Sequence, residues 1–465
     1  MTRFAAFIIC LTISFLILSP SPGLSLTRQE ERELGREFFI ILKEKLTITN
    51  DPDINAYING LGQKILKAAG PQPFTYKFFV VHNETINAFA VPAGYVFVNS
   101  GLVTSFDSEG QLAATLAHEI AHVTKRHVAR RISQSQKLTL ATMGGILAGI
   151  FIGGPVGQAV TIGTMAGSVQ TQLKYSREDE TESDQKGLEY LVKAGYDPRF
   201  LAESLNILLR TKYSGPADTP TYLQTHPGLL DRISSVETMV AARPEYTAVK
   251  GRGDDQAFVS FKTKIMARYA NDLQAYNYFQ DLLKKDPTTA LGHYGLALLY
   301  EKQQKIEMAA RQFEMAIDKE PDNAELLSDY GALLFRKGNY PEALKYLNPA
   351  FILKPRSIRT IFFLSRIFQE QGRLQQSRDF FERLLAENPE HEPGLYNLGL
   401  VYGRLDNLAR ARLNTGLYFK VTGRRSQAIF HLEKARGYAV ENEPGLVERI
   451  DKILAKMKKE PKNRQ

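Results

Sequence analysis

Apolar positions recur at helical spacing from Leu34 to Leu42 and again from Ile54 to Leu66, which predicts two amphipathic helices. The period then shortens. Tyr76 to His82 and Tyr95 to Ser100 are rich in aromatic and β-branched residues and predict strands, with Phe89-Ala90-Val91-Pro92-Ala93-Gly94 as the turn-bearing link between them. Helical spacing returns from about Glu109 to Arg131, from Glu180 to Ala194 and from Arg199 to Arg210, and Gly195-Tyr196-Asp197-Pro198 is the stop between the last two. Residues 138–173 stand apart: they carry no charge, are rich in glycine and are split by Pro155. Each half is shorter than the roughly 20 apolar residues that a spanning helix needs. The segment reads as a pair of close-packed helices on the domain, with a membrane-contacting lid, and so peripheral membrane contact, as the alternative. The pattern as a whole predicts a mainly α fold with a small β-sheet.

The second half of the chain is periodic. Pro287, Pro321, Pro355 and Pro389 follow one another at a constant interval of 34 residues. Between them, small and large residues return in register: Leu296, Ala297, Tyr300, Ala309, Phe313 and Ala316, then Tyr330, Gly331, Leu334, Ala343, Leu347 and Ala350. Two antiparallel helices that pack closely within each repeat require such an alternation. Period and placement resemble the tetratricopeptide repeat, which implies an all-α solenoid over residues 255–445 with a concave surface suited to proteins. The basic stretch Lys250-Gly251-Arg252-Gly253-Asp254-Asp255 reads as the linker to an α+β domain at 26–250, and 446–465 as a basic C-terminal tail.

Composition narrows the picture. A chain of 465 residues with 43% hydrophobic and 23% charged residues is globular and too long for one ordinary core. The net charge of +9 comes without a Lys/Arg block interleaved with aromatics, so nucleic acid is not an expected partner. Arg3, the apolar run Phe4 to Leu18 and the small-residue zone up to Ser25 predict a signal peptide over residues 1–25. The only cysteine, Cys10, lies inside it. The mature chain is then expected to have no disulfide and no thiolate, and any metal site must use His, Asp or Glu.

The chemistry centres on His118-Glu119-Ile120-Ala121-His122, inside the apolar run Leu112 to Val123. Histidines four apart share a helical face and reach one zinc ion, and the glutamate between them sits beside the water that zinc activates. A metzincin would have glycine at Lys125 and histidine at Val128, so that clan is excluded. The first acidic residue after His122 is Glu178, and the candidates for a third ligand are Glu178, Asp179, Glu180, Glu182 and Asp184. Glu180 and Asp184 share a helical face, so one can bind the metal while the other orients a histidine. His127, among Lys125, Arg126, Arg130 and Arg131, reads as part of a solvated basic helix end; His82, His293, His391 and His431 read as structural. The segment Gly94, Tyr95, Val96, Phe97, Val98 is the expected edge strand, against which a substrate backbone pairs.

The block Tyr175-Ser176-Arg177-Glu178-Asp179-Glu180-Thr181-Glu182-Ser183-Asp184-Gln185-Lys186-Gly187 resembles the signature of the HtpX and CAAX-protease superfamily of gluzincins, with Ser183 where that family has alanine. Asn87-Ala88-Phe89-Ala90, Pro92, Gly94 and Gly101 resemble its strand segment, and Thr225-His226-Pro227 with Arg232 its downstream histidine-proline motif. With the signal peptide and repeats added, the whole mature chain is similar to BepA-type periplasmic peptidases. The resemblance implies a zincin-like domain with one zinc ion per chain on His118, His122 and Glu180, and Asp184 behind them. It implies Glu119 as general base, and His226 and Arg232 beside the oxyanion, with His226 alternatively on the open zinc position at rest. It further implies a metalloendopeptidase of the periplasm acting on unfolded or misassembled envelope proteins. The repeats would recruit clients or dock on the outer-membrane assembly machinery. The competing reading is a chaperone or scaffold for outer-membrane protein assembly with a latent metal site. A membrane-embedded prenyl-protein protease is set aside, because the mature chain shows no clear set of spanning helices.

Overall fold

A computed structural model of the protein describes residues 26–134, 175–214, 222, 225–440 and 443–459. The predicted signal peptide and the charge-free segment 138–173 lie outside the described residues. The chain divides into two compact units, with the boundary between Asn271 and Asp272.

The first unit opens with α1 (Arg28–Lys45), started by a capping box in which Thr27 and Glu30 bond each other's backbone amides. Next comes α2 (Pro52–Ala69), capped by Asp51. Strands β1 (Lys77–Val81), β2 (Ala88–Val91) and β3 (Tyr95–Asn99) form one sheet in the order β1-β3-β2. β3 runs parallel to β1 and antiparallel to β2, with Phe79 and Phe89 both paired to Phe97.

This sheet corrects two expectations. Residues 89–91, read as part of a link, belong to a strand. A four-residue run with two alanines carries little strand signal by itself, and the hairpin supplies the pairing. Its turn needs left-handed backbone at Ala93 (φ 66°) and Gly94 (φ 90°). β3, read as an edge, is the central strand. Both its sides are bonded, so Tyr95, Val96, Phe97 and Val98 offer no free backbone to a substrate. Gly94 serves the turn instead; a Cβ there would lie 2.9 Å from the Tyr76 ring.

The sheet separates two cores, because alternate residues face opposite sides. Val96 and Val98 pack with Ile58, Leu116 and Ile120. Phe97 and Phe89 pack with Leu34, Phe38 and Val128. After β3 come α3 (Ser100–Ser105) and α4 (Glu109–Thr124), buried from Glu109 to Val123 as a central helix must be. The single helix predicted to reach Arg131 breaks at Lys125 and Arg126, and α5 (His127–Gln134) leaves in a new direction. No glycine or proline marks the break. Arg126 takes left-handed backbone (φ 57°), and its guanidinium is held by buried Glu31 at 2.7 Å and by the Leu26 carbonyl. Then follow α6 (Arg177–Lys193), α7 (Arg199–Ser214), α8 (Leu229–Ala241) and α9 (Asp255–Tyr269). α9, counted from the pattern with the repeats, belongs to the first unit. Its Phe258, Phe261 and Ile265 join the core of α4, and Lys264 bonds Asp53 at 2.7 Å.

The second unit is helical throughout its described residues. It comprises α10 (Asp272–Lys285), α11 (Ala290–Lys302), α12 (Ile306–Lys319), α13 (Ala324–Arg336), α14 (Tyr340–Leu353), α15 (Ile358–Glu370), α16 (Leu374–Glu387), α17 (Glu392–Arg404), α18 (Leu408–Val421), α19 (Arg425–Ala439) and α20 (Pro444–Lys459). The four periodic prolines sit in the connections. The small residues sit where helices cross: a Cβ at Gly295 would lie 2.1 Å from the Phe279 ring, and one at Gly331 2.6 Å from Leu347. Most of the stretch read as a tail is α20, whose Ile450, Leu454 and Met457 are buried with Leu413 and Leu432. No described helix is long and apolar enough to cross a membrane.

Candidate metal centre

Three elements of the first unit meet at one point. α4 supplies His118, Glu119 and His122, α6 supplies Glu180 and Asp184, and the approach to α8 supplies His226 and then Arg232. α6 comes close because it carries Gly187 at the crossing, where a Cβ would lie 3.1 Å from the Cα and N of His118. Ser176 starts α6 through a capping box with Asp179, and Gly228 (φ 77°) turns the chain into α8.

The Nε2 atoms of His118 and His122 lie 2.9 Å apart, and the two Glu180 oxygens lie 3.5 Å from one or the other. His226 Nδ1 is 2.9 Å from Glu180 Oε1, and its Nε2 is 3.8 Å from Glu119 Oε1. One ligand atom from each of His118, His122, Glu180 and His226 lies within 4.8 Å of all the others. None of these residues, nor Glu119, is more than 1% exposed.

A second layer braces the first. Asp184 Oδ1 is 2.9 Å from His118 Nδ1. Arg232 grips Asp184 with two bonds of 2.7 Å, and its Nη1 lies 2.5 Å from Glu180 Oε2. Its guanidinium is thus engaged behind the ligands, tying two carboxylates together. His122 Nδ1 lies 2.9 Å from His127 Nδ1. His127 is fully buried. The reading of a solvated helix end is corrected by the turn at Arg126, which swings His127 back under His122. Tyr175 stacks on the His122 ring (3.8 Å between centroids) and Tyr222 on the His226 ring (4.3 Å), fixing both planes. The sequence pattern placed Tyr175 only as the first residue of the family-like block and gave Tyr222 no role. His127 stands five positions after His122, off its face on a continuous helix, and only the unmarked break makes them neighbours.

The electrostatics follow from burial and pairing. Burial and Arg232 oppose a proton on His118, but Asp184 and Glu180 outweigh them and push its pKa up to about 9. Burial holds His122 well below its usual range. The Nε2 atoms of the two rings face the place that a cation would take, where it would compete with any proton between them. Burial also pushes Glu119 up to about 8. Burial disfavours the charged form of Glu180 as well, yet the charges of His226 and Arg232 hold it well below the carboxylate range.

The residues fit a divalent metal. Imidazoles plus one carboxylate, without thiolate, form a catalytic donor set. Both oxygens of Glu119, the His226 Nε2 and the Tyr175 hydroxyl are buried without a side-chain hydrogen bond. Each such atom costs about 1–3 kcal/mol until something meets it, and a cation with its water meets several at once.

Comparison with known proteins agrees with this geometry. Peptidase family M48 matches residues 52–240, and a tetratricopeptide repeat matches residues 294–355. The chain is 32% identical over 308 residues to a putative beta-barrel assembly-enhancing protease of Vibrio cholerae, a match over 65% of this chain and 63% of that protein. It is 26% identical over 423 residues to the beta-barrel assembly-enhancing protease of Escherichia coli, covering 90% of this chain and 86% of that one. The mitochondrial metalloendopeptidase OMA1 of Arabidopsis thaliana is 33% identical over 153 residues, 33% of this chain and 29% of that one. The match to family M48 contains every group of the site from His118 to Arg232, so the chain carries a Peptidase family M48 domain at residues 52–240 followed by tetratricopeptide repeats.

Proposed function

We propose that the protein is a zinc-dependent endopeptidase of the bacterial periplasm that cleaves misfolded or stalled envelope proteins recruited by its repeats. Glu119 carries this reading. It is buried between two candidate ligand histidines with no side-chain hydrogen bond, and a purely structural metal site needs no such carboxylate. The predicted signal peptide and the relatives named for β-barrel assembly support the location and the clients.

In this mechanism His118, His122 and Glu180 hold the ion. When bound, zinc supplies a Lewis acid that polarises the scissile carbonyl and makes a neighbouring water acidic. Glu119 takes that water's proton and passes it to the leaving amine. His226, 3.8 Å from Glu119, stabilises the carbonyl oxygen as it becomes negative once its ring is protonated at Nε2 as well as at the Nδ1 that faces Glu180. Asp184 and Arg232 keep His118 and Glu180 from moving as charge shifts.

The test is degradation of casein by the mature chain from Leu26 onward, beside Glu119→Gln, with zinc measured on both. The expected result is one zinc ion on each protein, with cleavage reduced about 100-fold or more in the variant. Absence of metal from both would defeat the proposal.

Complete burial of the site favours a regulated form of the same enzyme, as in the scaffold reading. If His226 joined His118, His122 and Glu180, four donors would fill a tetrahedral site and leave no place for water. If His226 takes the fourth position at rest, His226→Ala raises casein cleavage; if it serves the oxyanion, the same change lowers it.

A further inference from the structure

We propose that His127 is a positioning residue for His122, accepting its Nδ1–H and tying it through Glu182 to the packed pair α4 and α6. The inference rests on the reading of His122 as a metal ligand.

The protons can be placed from the distances. His122 turns Nε2 toward the site, 2.9 Å from His118 Nε2 and 3.5 Å from Glu180 Oε1. A ring that binds a cation through Nε2 carries its proton on Nδ1. That Nδ1 lies 2.9 Å from His127 Nδ1, which must then present a lone pair. The proton of His127 is consequently on Nε2, and Nε2 lies 2.9 Å from Glu182 Oε2. The other oxygen of Glu182 accepts Lys125 Nζ at 2.7 Å. Ser183 Oγ, 3.2 Å from His127 Nδ1, adds a second donor to the same lone pair. With this tautomer every N–H in the chain of contacts has an acceptor.

The placement is built. Lys125 caps the end of α4 and Glu182 lies on α6, so the contacts close across the two helices that bring the ligands together. His127 reaches His122 only because Arg126 adopts left-handed backbone, a conformation that costs a non-glycine residue about 1 kcal/mol or more. The bond from Arg126 to buried Glu31 holds that turn. The two ligand histidines are thereby held differently. The outer nitrogen of His118 meets a carboxylate, Asp184, and that of His122 meets a neutral ring. A further carboxylate beside Glu119, Glu180 and Asp184 would crowd negative charge in a buried site.

The test measures zinc affinity of the full mature chain by chelator competition, and the visible spectrum of its Co(II) form. His127→Leu keeps the volume and removes the acceptor; His127→Gln restores an acceptor oxygen. The expected result is zinc binding weakened about 10–100-fold by His127→Leu with a shifted Co(II) spectrum, and largely recovered in His127→Gln. Glu182→Leu moves both readouts the same way by less. Unchanged zinc binding and spectrum in His127→Leu overturn the proposal, as does a lower melting temperature of the metal-free chain with neither readout moved. If His127→Leu does not fold, Glu182→Leu, on the exposed flank of α6, decides by the same two readouts. His122→Ala separates the two levels of the claim. If it still binds zinc as the parent does, the ligand reading fails; if it loses zinc while His127→Leu does not, only the positioning role fails.

Discussion

The same side chain does opposite things at His118 and His391. Both are withdrawn from water, yet two carboxylates bonded to His118 raise its pKa, while burial lowers that of His391. His391 begins α17, its Nδ1 accepting the Gly394 amide at 3.0 Å, with the Phe362 ring 5.4 Å away. Burial lowers its pKa from 6.5 to about 4. The folded pKa lies below the unfolded one, so the stabilisation is present above pH 6.5 and is lost as pH falls from there toward 4. The loss is at most about 3 kcal/mol. Urea unfolding of the full chain at falling pH is expected to show it in the repeats, and His391→Asn, a good cap that does not titrate, is expected to abolish it. Residue identity at the metal centre was legible in advance: His118, Glu119, His122 and the pair Glu180/Asp184 stand at spacings that helices convert into neighbours. His127, Tyr175 and Tyr222 were not, because their partners are set by a break or by another element.

At the scale of elements, the site is a crossing of α4 and α6, and Gly187 sets their distance. Gly187→Leu places a side chain against the His118 backbone, so α6 moves off and carries Glu180 away from the histidines. The expected outcome is a loss of about 1–3 kcal/mol of stability, read by denaturant, together with weaker zinc binding. A second element-level feature is the turn between α4 and α5. Arg126→Ala removes the guanidinium bonded to buried Glu31 and is expected to cost about 3 kcal/mol in the same measurement. Helices with a clear apolar face were predictable; β2 was not, since four residues become a strand only when β3 is already beside them. The centrality of β3 likewise depends on β1, a strand distant in sequence that pairs parallel to it.

At the scale of the molecule, the candidate metal ligands all belong to the first unit, so metal binding there would be coupled to its stability. Zinc at about 1,000 times its Kd is expected to stabilise that unit by about 4 kcal/mol. Scanning calorimetry with and without a chelator is the check: one transition should move and that of the repeats should stay. α20 completes the second unit, and Leu454→Asp, which puts a charge among Leu413, Leu432 and Ile450, is expected to lower only the transition of the repeats.

The sequence by itself determined what local spacing can encode. It specified the paired histidines on one helical face, the acidic candidates on the next polar helix, the repeat period and the division into a peptidase part and a helical array. These follow from the 3.6-residue turn and from proline's incompatibility with helix interiors, which act over a few residues. Tertiary structure alone decided which strand lies in the middle of the sheet, where α4 ends, what α9 packs on, and that Arg232 and His127 stand behind the ligands. Those outcomes depend on contacts between segments far apart in the chain, where burial and charge pairing outweigh local preference.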